Sequence, residues 1–146
     1  MDFVPLSDQQ LRELNLYPEG RYRFQVLRTT QKHSNNSGND YFNLKMRIHV
    51  DGKERILFDM LFFEGKMLYK TKHFCTVTGM PEKYDSGQIM PTDCDGKEGY
   101  LDLVHRANSQ TGELQNSVKD YVIPEGDQLI QAEQKAGDSF DDDIGF

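Results

Sequence analysis

No stretch of this chain approaches the roughly 20 consecutive apolar residues that a membrane-spanning helix needs. Its first ten residues, MDFVPLSDQQ, hold neither the basic segment nor the apolar run of a secretory signal. A cytoplasmic location with no membrane partner is the expectation. Cysteine is scarce: Cys75 and Cys94 are the only two in 146 residues. Without a secretory signal they are expected to be free thiols. No CxxC pair exists and His33, His49, His73 and His105 are scattered, so zinc-ligand spacing is missing and no metal is expected. Missing too are the GxxxxGK(S/T) phosphate loop, a GxGxxG opening a helix, and a GxSxG elbow.

Acids are plentiful, but Asp40, Asp51, Asp85, Asp93 and Asp95 fall in turn-forming stretches that account for them. A two-metal nuclease needs several carboxylates converging on one pocket. Asp59 alone stands in an otherwise apolar run, where a paired structural carboxylate is the simpler reading than a catalytic one. The expectation is no enzyme and no cofactor.

What is present is unevenly distributed. The net charge is −7, yet residues 125–146 account for −6 and residues 1–20 for −3, leaving the span 21–124 at +2. A mildly basic body therefore carries an acidic tail. Hydrophobic residues make up 36% of the chain and the mean hydropathy is −0.73, polar for a chain packed throughout its length. One domain with appendages fits that balance.

Ser7 and Gln10 have the form of a capping box, and Leu11, Leu14 and Leu16 make a short apolar stripe. A brief helix over 8–16 is expected to plug one end of the body. From Gly20 the period changes to two. Tyr22, Phe24 and Val26 alternate with Arg21, Arg23 and Gln25, the mark of a half-buried strand. HSNNSGND (33–40) has the composition of a loop. In YFNLKMRIHV, Phe42, Leu44, Met46, Ile48 and Val50 face one way, and Tyr41, Asn43, Lys45, Arg47 and His49 the other.

Asp51-Gly52 makes a tight hairpin turn, and ERILFDMLFF (54–63), apolar on both faces except at Asp59, is expected to be a central, doubly covered strand. A helix over 65–78 should stop at Gly79, with Pro81 just beyond. Irregular chain follows to Gly96. A second hairpin pairs EGYLDLVHRA (98–107) with LQNSVKDYVI (114–123). Three meandering strands, a helix and two more strands is the order of an all-β, five-stranded OB-fold barrel. It is preceded by a short N-terminal helical segment (1–20), occupies 21–124, and is followed by a disordered acidic tail (125–146) whose apolar content is too low to fold alone.

Such barrels bind oligonucleotides across their central strands and connecting loops. A single strand needs cations for its phosphates and flat rings for its bases. Tyr41, Tyr69, Tyr100 and Tyr121 are the candidate stackers. Arg21, Arg23, Arg28, Lys32, Lys45, Arg47, Lys66, Lys70, Lys72 and Arg106 are the candidate phosphate contacts.

The last nine residues, DSFDDDIGF, resemble the C-terminal tip of bacterial single-stranded-DNA-binding proteins, which ends Asp-Asp-Asp-Ile-Pro-Phe. Asp141, Asp142, Asp143, Ile144 and Phe146 match it, as does Phe140 before the aspartates, while Gly145 stands where proline is usual. Glycine makes docking costlier in entropy. The resemblance implies that the tip recruits replication and recombination proteins. Phe146 and Ile144 would enter an apolar pocket while the aspartates meet a basic rim.

The body resembles, more loosely, a phage and prophage family of single-stranded-DNA-binding proteins. The likeness lies in GNDYFNLKMRI, the helix ending TGMP, DGKEGYLDL and NSVKDY. It implies a sequence-tolerant, non-enzymatic partner of single-stranded DNA. Two rivals stand beside it: an OB-like adaptor or inhibitor whose acidic tail mimics nucleic acid, and a nuclease using Asp59. An edge strand, or the long third strand, offers a place for pairing into a homodimer or higher oligomer.

Overall fold

The computed structural model describes residues 1–36 and 38–123. The acidic tail and its tip, with Phe140, Asp141, Asp142, Asp143, Ile144 and Phe146, lie outside the described residues.

The chain is all-β, with short helices at the margins. Its elements run α1 (Asp8–Glu13), β1 (Gly20–His33), β2 (Asp40–Val50), β3 (Lys53–Phe62), α2 (Leu68–Val77), α3 (Pro81–Ser86), α4 (Pro91–Cys94), β4 (Glu98–Ala107) and β5 (Leu114–Val122). A single 3-10 turn at Gly65–Met67 leads into α2. The strands form one five-stranded antiparallel sheet in the order β3-β2-β1-β4-β5, compatible with an OB-like barrel.

β1 holds the sheet together by serving two partners. Its first half, Gly20–Gln25, pairs with β4, and Phe24–His33 pairs with β2. Between Val26 and Arg28 the register slips, leaving Leu27 unpaired and exposed, and a bulge of this kind bends a strand. The β2–β3 hairpin turns on Asp51 and Gly52, both at positive φ (52° and 78°), as a right-twisted two-residue turn requires.

The inner face follows from the alternation. Tyr22, Phe24, Val26, Leu44, Met46, Ile48, Leu61, Leu101 and Leu103 are essentially inaccessible. α2 packs on the inner face of the sheet through Phe74, whose ring lies 5.0 Å from Tyr121 and 6.2 Å from Phe24. Gly99 lets the helix approach: a Cβ there would sit 2.9 Å from Val77 and 3.1 Å from the Phe24 ring. Cys75 and Cys94 are free and buried, and burial pushes their thiols up to about 11 and about 12, so neither forms a ready thiolate.

Three expectations are corrected. The segment after Gly79 is not irregular but carries α3 and α4, each started by a proline in its first turn. α1 keeps its capping box, with Ser7 N–H donating to Gln10 Oε1 at 2.9 Å. It ends at Glu13, and Leu11 and Leu14 are exposed, so the helix itself plugs nothing, while Leu16 beyond its end is half-buried. Most consequentially, β3 is not a covered central strand. It pairs only with β2 among the described residues, and its outward side chains are in solvent.

Candidate nucleic-acid interface

The outward face of β1, β2 and β3 is built in transverse rows fixed by register. Lys32 stands opposite Tyr41, and Tyr41 opposite Phe62. The next rows are Thr30, Asn43 and Met60, then Arg28, Lys45 and Phe58. Gln25, Arg47 and Ile56 follow. The period-2 rule that buries Phe42, Leu44 and Met46 pushes these residues outward. The result is two parallel lanes. Arg28, Lys32, Lys45 and Arg47 form a cationic lane over β1 and β2. Ile56, Phe58, Met60 and Phe62 form an apolar lane along β3.

The apolar lane is unusual for a soluble surface. Phe58 is 55% exposed and Met60 49%, and Ile56 is exposed beside them. A contiguous apolar strip rimmed by polar groups marks an interaction surface, whereas a scattered exposed residue does not. At its end Tyr41 stacks on Phe62, with centroids 5.1 Å apart and planes at 29°. Both rings are half-buried.

Acidic groups temper the cationic lane. Glu54 reaches Arg47 at 3.4 Å in an exposed ion pair. Glu98 accepts from Gln25 at 3.1 Å, and partial burial pushes its carboxyl above the usual range against the opposing pull of Arg23 and Arg47. At the hairpin end, His33 and Gln31 bond the Asp40 carboxylate and hold it below the usual range. Lys32, Arg28 and Lys45 are exposed and have no carboxylate partner among the described residues.

The sequence candidates separate into those on this face and those elsewhere. Arg28, Lys32, Tyr41, Lys45 and Arg47 lie on it together. Arg21 is locked to Asp102 by a two-point ion pair, Nε to Oδ1 at 2.7 Å and Nη2 to Oδ2 at 3.0 Å. Arg23 is buried, with its guanidinium 5.6 Å over the half-buried Tyr100 ring. Lys70 is held by Asp59 at 2.8 Å. Tyr121 is corrected outright: it is a core residue, 2% exposed. Tyr69, Lys66 and Lys72 are exposed at or before α2, not on the strands that carry the rows, with Lys72 5.6 Å over the Tyr84 ring. Arg106 lies at the far end of β4, across the seam between β3 and β5.

Ile56, Phe58, Met60 and Phe62 were missed by the sequence reading. The signal available was the apolar character of both faces of 54–63; in a single sheet only one of those faces packs on the core, so the other is left apolar and outward.

Residues 6–128 match the model of a family described as "Protein of unknown function (DUF669)". No curated protein matches the chain. No described helix is long and apolar enough to cross a membrane.

Proposed function

The chain belongs to the DUF669 family, and we propose that it is a non-enzymatic protein that coats single-stranded DNA without strong sequence demands. The observation that carries the reading is the pair of lanes on one face. Phosphates lie along Arg28, Lys32, Lys45 and Arg47 while bases stack on Phe58 and the Tyr41–Phe62 pair. Stacking contributes about 1–3 kcal/mol per base and accepts any base. Duplex DNA hides its base faces and gains only the electrostatic part.

In this reading the acidic tip, which resembles that of bacterial single-stranded-DNA-binding proteins, recruits replication or recombination proteins to the coated strand, in keeping with a phage or prophage setting. The test is fluorescence-anisotropy titration of labelled oligo-dT with the full chain at about 50 and about 200 mM salt, against a duplex of equal length. Tight binding of the single strand alone, weakened by salt, is expected. Absence of single-strand binding at both salts overturns the proposal and leaves the adaptor reading, in which the apolar lane takes a protein.

A further inference from the structure

β3 and β5 are the two edges of the sheet and no backbone ladder joins them among the described residues. The seam between them holds a pocket of about 330 Å³, at the small end of the range for ligand sites, about 300–1,000 Å³. It opens beside the apolar lane, since Phe58 and Met60 belong to both. Asn43 on β2, Arg106 on β4 and Gln115 and Ser117 on β5 complete the polar part of its wall.

Those four polar side chains make no hydrogen bond or ion pair among the described residues. Their neighbours are already engaged: Asn116 donates to Asn15 O at 2.7 Å, and Asp59 accepts from Lys70 and Tyr121. The pocket therefore combines an aromatic and a thioether wall with two spare amides, a hydroxyl and a spare guanidinium fork. A phosphate would use the fork and waste the amides. An apolar ligand would leave all four unpaired.

We infer that this pocket takes a single nucleobase turned out of the stacked strand, and that guanine fits it best. The inference rests on the single-strand reading of the adjoining face. An arginine fork matches the O6 and N7 acceptors of guanine, and amide or hydroxyl oxygens accept from its N1–H and N2–H groups. Phe58 supplies the stacking plane that the base leaves one neighbour to find. The protein thus coats any strand but pauses in register where a guanine can drop into the seam.

The test uses the full chain and a dT oligonucleotide carrying one central dG, dA or dC, each compared with plain dT. The single dG is expected to tighten binding roughly tenfold, with dA and dC nearer to dT. In Gln115→Ala and Ser117→Ala the dG advantage falls to near unity while affinity for plain dT is kept. Both variants are checked for an unchanged thermal midpoint. Equal affinity for all four strands overturns the pocket and leaves the coating function standing. A dG advantage that survives both variants also overturns it. Failure to bind any of the strands overturns the coating function, and the pocket with it.

Discussion

Tyr121 of β5 donates its hydroxyl to the Asp59 carboxylate of β3 at 2.7 Å, between two edge strands that no described backbone ladder joins. Lys70 of α2 reaches the other carboxylate oxygen at 2.8 Å. One buried carboxylate therefore ties three elements, and it explains the lone acid in an apolar strand. Burial pushes Asp59 above the usual carboxylate range, while Lys70 and Tyr121 pull the other way.

Removing one member of such a cluster strands the others. Asp59→Ala is expected to cost about 2–4 kcal/mol in urea unfolding, because a hydroxyl and an ammonium lose their shared acceptor. Tyr121→Phe keeps the ring in the core and should cost only about 1–2 kcal/mol. A smaller loss in Asp59→Ala than in Tyr121→Phe would show that the carboxylate is not the tie.

The same cluster gives a signed pH dependence. A carboxyl whose folded pKa lies above its unfolded value, about 3.9, holds its proton more tightly when folded. Stability then falls as pH rises from about 4 toward the folded pKa, and levels off above it. Lys70→Met removes a cation that lowers the folded pKa, which widens the window. The variant's deficit against the parent should be smallest near pH 4 and grow toward pH 8. A deficit independent of pH would mean that Lys70 acts by packing alone.

How far these features were legible depended on the register. β2 read correctly because one face is buried and the other wet, so its ten-residue alternation has a single solution. β3 gave no such contrast, since Ile56, Phe58 and Met60 are as apolar as Leu57 and Leu61 and only topology tells the faces apart. Tyr121 failed for another reason. Strict alternation puts it opposite Val118, yet both are buried. The register slips between Asp102 and Leu103, leaving Lys119 as the extra residue, and one extra residue turns every later side chain over. Arg21 and Arg23 lay on the outward face as read, but their partners Asp102 and Tyr100 stand on a strand 81 and 77 residues further along the chain, beyond the reach of local pattern.

The two lanes should fail differently. Phe58→Ala removes a stacking plane and is expected to weaken single-strand binding about 5- to 150-fold, with the salt slope unchanged. Phe58 is 55% exposed, so the fold should lose little. Lys45→Ala should instead lower the slope of log affinity against log salt by about 0.7, the share of one phosphate on a single strand. Titrations of both variants at four salt concentrations separate the outcomes. A changed slope in Phe58→Ala would show that the lanes are not distinct.

The acidic tail provides the last check, because it carries −6 against a body of +2. A flexible linker of about 20 residues gives a tethered group an effective concentration of order millimolar. The tip should therefore compete with phosphates for Arg28, Lys32 and Lys45. Deleting residues 139–146 is expected to tighten oligo-dT binding several-fold at about 50 mM salt. The gain should shrink at about 200 mM, where screening weakens the tip's attraction. If the truncated and full chains bind equally at low salt, the tip does not visit the face and serves partners only.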